Sequence, residues 1–219
     1  MALTRSDDRP HAGVAVEEWV FAAWTADATI GLLSGHRLLG PLAWYWACLA
    51  TEGQPLLHVA EWDVPVRADP LLVKAHALWA EHICDEPMEQ WTIGNETYAA
   101  ALDDPAEGLG RAYGIPTPIA FDVEWYAAGS PEPIDDGYAQ RGVAHGAIDV
   151  AGRDRLELVE VEAQRWHRWT NEPGGFGPVV LPTVVAHTNV RAPFAFPDGS
   201  TTDLVLTPDG WRERDPRRR

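Results

Sequence analysis

The feature that most constrains the fold is a set of short segments in which apolar and acidic side chains alternate. In the segment IAFDVEWY (119–126), every second residue from Ile119 is large and apolar, and Asp122 and Glu124 lie between them. Successive side chains of a strand point to opposite faces, so this segment gives a sheet one apolar and one acidic face. The segment 59–64 repeats the mixture with Glu61 and Asp63. Such a sheet either packs its apolar face into a core and exposes its acids to solvent, or forms a barrel whose lumen holds the acids among aromatic rings.

Apolar runs of this kind recur along the chain and are separated by turn-forming pairs such as Gly40-Pro41 and Asp198-Gly199. Residues 71–82 also fit a helical stripe, but we interpret them as strand. Residues 103–110 combine acidic residues, a proline and a terminal glycine, which predicts one short helix. Short strands at this spacing are typical of a sandwich or barrel rather than of βαβ units. We predict strands near 16–26, 29–39, 42–51, 55–64, 73–85, 89–102, 117–128, 137–151, 154–169, 179–191 and 202–207.

The composition of the chain limits which binding partners and which cellular compartment are expected. A net charge of −16 argues against nucleic acid, whose phosphates are bound by clustered Lys and Arg. Two cysteines are too few for a disulfide framework, the polar start shows no signal peptide, and no run approaches the ~20 apolar residues of a membrane span. We therefore expect a cytoplasmic protein with no membrane partner. The chain is expected to be disordered over 1–13 and in a basic tail over 208–219, with a single domain over 14–207.

Four residues are candidate acid–base catalysts. Asp122 and Glu124 lie two apart on one strand face, with Cβ atoms roughly 6–7 Å apart. If they are shielded from water, one pKa rises and a protonated carboxyl remains beside an ionised one. Glu96 shares a predicted face with Tyr98, and His145 is flanked by glycines that allow close backbone approach. The alternatives are a solvent face for the pair, an Arg partner for Glu96 and a hydrogen-bonded histidine on a strand.

Metal and cofactor motifs are absent from the sequence. It contains no H-E-x-x-H or C-x-x-C spacing, no Walker loop and no G-x-G-x-x-G, so we expect neither a metal nor a cofactor. His82 and Cys84 share a face if 73–85 is a strand, but no cationic neighbourhood is visible that would lower the pKa of the thiol. His167, within RWHRW (165–169), is a further candidate proton donor.

Several strings together resemble a known family: LWAEHICDEP (78–87), WTIGNE (91–96), FDVEW (121–125) and RWHRW (165–169). They look like an actinobacterial group similar to the lipocalin-like hydroxyneurosporene synthase (carotenoid hydratase) and pericyclase superfamily, over roughly residues 16–170. The resemblance implies an all-β, lipocalin-like antiparallel β-barrel of about eight to ten strands with one short helix. It also implies a cavity for an apolar, polyene-like molecule.

These observations favour a cofactor-independent enzyme that cyclises, hydrates or isomerises an apolar polyketide or terpenoid intermediate in an aromatic-lined cavity. A non-catalytic carrier of a hydrophobic molecule is the alternative, since an eight-stranded barrel can hold one small ligand. A third hypothesis is an interaction module in which an edge strand in 179–207 pairs with another chain. A homodimer is one such pairing. The candidate catalytic residues are Glu96, Asp122, Glu124 and His145, and the candidate substrate-binding residues are Trp91, Tyr98, Trp79, Trp46 and His82.

Overall fold

The computed structural model describes residues 3–215 except 173, 178, 180, 186, 187 and 189. Two 3-10 turns are present in this part of the chain, at Arg5–Asp8 and Pro105–Leu109. The strands are β1 Val16–Trp24, β2 Ile30–Leu39, β3 Leu42–Thr51, β4 Leu56–Pro65, β5 Leu72–Lys74, β6 Leu78–Glu86, β7 Gln90–Leu102, β8 Ile115–Ala127, β9 Glu132–Ile134, β10 Gly137–Val150, β11 Leu156–Thr170, β12 Thr183–Val184, β13 Arg191–Ala195, β14 Thr201–Thr207 and β15 Gly210–Arg214.

Eight strands form a closed antiparallel ring in the order β4-β3-β2-β1-β11-β10-β8-β7. The ring closes through a short pairing of β4 with β7, from Leu56 opposite Leu102 to His58 opposite Ala100. Beyond that point β4 separates from β7, and β6 pairs with β7 instead, with β5 on its outer edge. The predicted all-β, lipocalin-like barrel is therefore confirmed. The segment 71–82 contains β5 and the first half of β6, as predicted, with the loop 75–77 between them. The short helix predicted over 103–110 is a 3-10 turn at Pro105–Leu109, in which the Ala106 amide donates to Asp104 at 2.9 Å.

Large apolar side chains fill the centre of the barrel because the alternation directs them inward. Trp91 lies opposite Trp125 across the β7–β8 ladder, and Ile93 lies opposite Val123 in the next inward layer. Trp19 and Phe21 of β1 complete this core, and all six side chains are buried. Burying a side chain of this size contributes roughly 1.5–3 kcal/mol, so the barrel interior is the main source of stability.

A second sheet, in the order β12-β15-β14-β13, covers part of the outer barrel wall. It encloses a second apolar core that includes Trp46 and Trp166 from the barrel and Trp211 from β15. The predicted tail over 208–219 is therefore wrong as far as β15, while residues 216–219 lie outside the described part. The predicted strand over 179–191 is also wrong in extent: its described residues contain the two-residue β12 and the start of β13. Pro182 has no backbone N–H and therefore breaks the series of hydrogen bonds that a long strand pairing needs.

The N-terminal segment closes one end of the barrel, which we call the plugged end. Asp8 is fully buried and accepts hydrogen bonds from Arg165 at 2.5 and 3.1 Å and from the Trp91 indole at 3.1 Å. The Tyr138 hydroxyl and the Met88 amide also donate to it. The predicted disorder of 1–13 is therefore wrong for the described residues 3–13, because an ion pair inside the barrel anchors a polar segment. Residues 1 and 2 lie outside the described part.

Among the described residues, no helix has the length and apolar character needed to cross a bilayer.

Candidate functional site

Four polar side chains meet inside the apolar barrel, and we call them the lumen network: Ser34 of β2, Tyr45 of β3, His82 of β6 and Asn95 of β7. The Ser34 hydroxyl lies 2.9 Å from His82 Nε2 and 3.2 Å from the Tyr45 hydroxyl. Asn95 Nδ2 donates to the Tyr45 hydroxyl at 3.0 Å. All four side chains are buried. They form one continuous chain of hydrogen bonds from an imidazole to an amide.

The strand pattern explains why these groups are shielded from water. Asn95 lies between the inward positions Ile93 and Thr97 of β7, and Ser34 lies opposite the inward Phe21. A buried polar group without a hydrogen-bond partner costs roughly 1–3 kcal/mol. Unless these residues are fully paired, the fold is therefore less stable than it would be with apolar residues at the same positions.

Pairing in and around the lumen network is incomplete. His82 Nδ1 and Asn95 Oδ1 are buried and have no hydrogen-bond partner among the described residues. The same holds for the nearby His36 Nε2, whose ring centroid is 5.8 Å from that of His82, and for the indole nitrogens of Trp19 and Trp125. Buried polar atoms in folded proteins are nearly always bonded to protein, water or a ligand. The barrel interior therefore offers a set of donors and acceptors that a small polar group can satisfy.

Burial keeps the lumen network uncharged at neutral pH. Desolvation lowers the pKa of His36 to about 3, and desolvation together with the neighbouring His36 lowers the pKa of His82 well below its ordinary value. Desolvation raises the pKa of Tyr45 despite its hydrogen bonds with Ser34 and Asn95. His82 is thus a neutral base with a free lone pair or N–H, and Tyr45 is a protonated donor.

A wide cavity of about 640 Å³ opens at the end of the barrel opposite the plugged end, and we call it the mouth cavity. Leu78, Ile119 and Val150 give it an apolar floor. Thr97, also in its lining, is the next inward position after Asn95 on β7. The floor therefore lies one layer of side chains, roughly 6–7 Å, above the lumen network.

The centre of the lumen itself has little free space. A void of about 10 Å³ borders Phe21, Ser34 and Trp125. This is close to the smallest space that holds one water molecule. The hollow, indole-lined lumen that the sequence predicts is thus filled at its centre, and the mouth cavity is the wide opening at its end.

Three of the candidate residues line the mouth cavity: Trp79, Glu96 and Tyr98. Glu96 and Tyr98 are exposed on the outer side of β7, and Trp79 is half-buried opposite Glu96 on β6. The prediction of a shielded Glu96 is wrong, because Asn95 and Thr97 take the inward positions on either side of it.

The predicted acid pair is not shielded either. Asp122 and Glu124 are exposed on the outer face of β8, where the Tyr126 hydroxyl donates to Glu124 at 3.0 Å. His145 is half-buried opposite Glu124 on that outer face, with its ring 5.8 Å from Tyr126. The alternation places both acids on one face, as predicted, but it does not distinguish the inner face of the barrel from the outer one. The large apolar residues of β8 occupy the lumen, and the acids face out.

The other candidates are buried. Trp91 and His82 lie in the lumen, whereas Trp46 packs against Phe196 between the barrel wall and the second sheet. Sequence reasoning missed Ser34, Tyr45 and Asn95. The available signal was the pair Ser34 and His36, two polar residues at alternate positions in an otherwise apolar strand.

The shielded acids are elsewhere. Asp8 bonds to Arg165 at the plugged end, and Glu18 bonds to Arg37 and Arg168 under the second sheet. Glu17 bonds to two histidines, His11 and His167, and the donor atoms of these three residues lie within 4.8 Å of one another. They are the group among the described residues that could hold a metal ion, and their separation in sequence explains why no spacing motif revealed it.

Comparison with known proteins finds a likeness in structure but none in sequence. No protein-family model matches the chain, and no curated protein matches it in sequence. Among solved structures, the crystal structure of kievitone hydratase from Nectria haematococca is similar, with 11% sequence identity and a TM-score of 0.42 over 94% of this chain and 68% of that chain.

Proposed function

We propose that the barrel admits an apolar small molecule through the mouth cavity and that the lumen network catalyses a proton transfer on it, without a cofactor. Hydration, isomerisation and ring closure are the reactions in this class. The observation that carries the proposal is the hydrogen-bonded chain of Ser34, Tyr45, His82 and Asn95 in an apolar interior. Some polar atoms of this chain have no partner in the part of the protein that the structure describes.

The chemistry follows from the protonation states. A neutral His82 can take a proton from a substrate or return one, and its contact with Ser34 links it to the Tyr45 hydroxyl. Tyr45 and Asn95 can hold a hydrogen bond to an oxygen on which negative charge develops. Because no member of the lumen network is charged at neutral pH, the polar group it receives is an uncharged carbonyl or hydroxyl.

Access requires the floor of the mouth cavity to open by one layer of side chains. Leu78 of β6 and Ile119 of β8 separate the cavity from the interior. Leu78 follows the loop 75–77 between β5 and β6, two strands that lie outside the closed ring, so we expect the floor to open on this side. The family resemblance favours a polyketide or terpenoid intermediate as the substrate.

The test is conversion of a panel of uncharged polyketide and terpenoid intermediates, followed by mass spectrometry and chromatography. We expect Tyr45→Phe, which keeps the ring and removes the hydroxyl, to lower turnover at least about 100-fold while ligand binding is retained. The matched control is Tyr126→Phe on the outer face, which should turn over normally. Wild-type rates in both Tyr45→Phe and His82→Gln would show that the lumen network is not the catalytic centre.

A non-catalytic binding protein is the second candidate, and the mouth cavity favours it. Its volume of about 640 Å³ falls within the usual ~300–1,000 Å³ of ligand sites, and its floor is apolar without any polar network. Saturable quenching of tryptophan fluorescence by members of the same panel, with no conversion of any of them, would select this function.

A further inference from the structure

Three potential metal ligands converge at the plugged end, away from the lumen network. His11 Nδ1 lies 2.6 Å and His167 Nε2 lies 2.8 Å from the same oxygen, Glu17 Oε1. His167 and Glu17 are buried on β11 and β1, and His11 is partly exposed in the segment between the first 3-10 turn and β1. Distant parts of the chain thus bring two imidazoles and one carboxylate to a single point.

We propose that His11, Glu17 and His167 bind a divalent transition-metal ion, for which Zn²⁺ is the best match. Two imidazole nitrogens and one carboxylate oxygen are an established ligand set for tetrahedral Zn²⁺, with the fourth position left to water. The borderline-soft imidazoles favour zinc over calcium or magnesium, which prefer oxygen ligands.

Neighbouring rings hold both imidazoles in place. His11 stacks on Trp169 at 4.3 Å with an interplanar angle of 24°, and His167 stacks on Trp19 at 4.5 Å and 21°. The carboxylate of Asp7 lies 3.8 Å from His11 Nε2, the ring nitrogen that does not face Glu17. A carboxylate on this side of a metal-bound histidine accepts its remaining N–H and fixes its tautomer once the two atoms approach to hydrogen-bond distance.

The present contacts are hydrogen bonds, and a metal ion would lengthen them. Ligands at 2.0–2.1 Å from a tetrahedral ion stand about 3.3 Å apart, so the donor atoms must separate by about half an ångström. His11 can supply this movement because residues 9–14 belong to no strand. The ion would replace two hydrogen bonds and tie the N-terminal segment to β1 and β11.

This site is independent of the proposed function. It lies at the plugged end, whereas the mouth cavity lies at the other end of the barrel. Its expected effect is therefore on the closure of the barrel and not on the polar groups that face a substrate.

The experiment uses the full-length, tag-free chain after removal of metal with a chelator. Isothermal titration with ZnCl₂ should give one bound ion per chain, and CoCl₂ should give the visible absorption bands of a tetrahedral cobalt site. We expect His11→Gln and Glu17→Gln each to weaken zinc binding at least about tenfold. His145→Gln, which alters a histidine on the outer face, is the matched control and should bind as the wild type does.

Circular dichroism of each variant separates lost binding from lost folding, and His11→Gln is the informative variant because its side chain is partly exposed. Zinc should also raise the melting temperature of the wild type and leave that of His11→Gln nearly unchanged. Absence of stoichiometric binding, or equal binding by wild type and His11→Gln, would overturn the proposal and leave a hydrogen-bonded triad only.

Discussion

Replacement of Glu18 by Gln should destabilise the fold by about 3 kcal/mol. Glu18 is 2% exposed and accepts hydrogen bonds from Arg37 Nε at 2.8 Å and from Arg168 at 2.5 and 3.1 Å, and Arg37 Nη2 lies 2.6 Å from the same carboxylate. One carboxylate therefore balances two guanidinium groups under the second sheet. Removing its charge leaves both cations buried without their common counter-ion.

The remaining contacts of the two arginines set the magnitude. Removing one partner of a buried ion pair costs about 3–5 kcal/mol. Arg37 keeps a long contact of 3.4 Å with Asp198, Arg168 keeps the Gly177 carbonyl at 2.8 Å, and the glutamine oxygen can still accept one hydrogen bond. We therefore expect a loss near the lower end of that range.

The assay is urea unfolding at pH 7 followed by tryptophan fluorescence, with Glu124→Gln on the exposed outer face as the control. The control should change the free energy of unfolding by no more than about 0.5 kcal/mol. A loss below about 1 kcal/mol for Glu18→Gln would refute the assignment of Glu18 as the counter-ion of both arginines.

The pH dependence of the Glu18 contribution has a definite sign. Burial raises the pKa of Glu18, but the charges of Arg168 and Arg37 outweigh it, and the net pKa lies below the ordinary value of 4.5. The stabilisation is therefore present in full above pH 4.5 and is lost as the pH falls through the folded-state pKa. The difference between wild type and Glu18→Gln should shrink only in strongly acidic solution.

Two further predictions concern buried histidines and the filled lumen. Burial lowers the pKa of His36 to about 3 and of His58 to about 4, so the unfolded chain binds protons near pH 6.5 that the folded chain does not. The free energy of unfolding should have its full value above pH 6.5 and should fall by about 2 kcal/mol per histidine between pH 7 and 5. Urea unfolding measured across this range should show a smaller fall for His58→Gln than for the wild type. Gly142→Ala should lower the melting temperature because its Cβ would lie 2.3 Å from the Trp125 ring, an overpacking cost of about 1–3 kcal/mol. An unchanged melting temperature in Gly142→Ala, with Gly129→Ala as the unobstructed control, would contradict a filled lumen.

Most strands could be predicted because two local signals agree in this sequence. The alternation of apolar and polar residues defines β8 and β7, and glycine or proline turns separate β2 from β3 and β3 from β4. The signals fail where they conflict. In the region 179–191, apolar residues predict a long strand that Pro182 does not allow. At Arg5–Asp8, a polar segment is ordered because Asp8 binds a buried partner 157 residues away.

The site could be predicted only in part because a pattern with period two is symmetric between the two faces of a strand. In β8 it grouped Asp122 with Glu124 correctly, but the choice between lumen and solvent depends on the other strands that close the ring. Ser34, Tyr45 and Asn95 come from three different strands, and their contacts depend on the register between the strands of the closed barrel. His82 could be predicted because it lies in LWAEHICDEP (78–87), one of the strings that carry the family resemblance. Ser34 and Tyr45 lie outside all of these strings.

The filled barrel also determines where chemistry can occur. An eight-stranded ring is just wide enough for its own side chains, and Trp19, Trp91 and Trp125 occupy most of that width. An apolar lumen of this kind gains nothing from polar residues, and each unpaired polar atom lowers stability. The lumen network nevertheless lies one layer below the mouth cavity, the place that a ligand can reach with the smallest rearrangement. A polar cluster that is costly for folding and adjacent to the entrance is the kind of local inconsistency that marks functional sites.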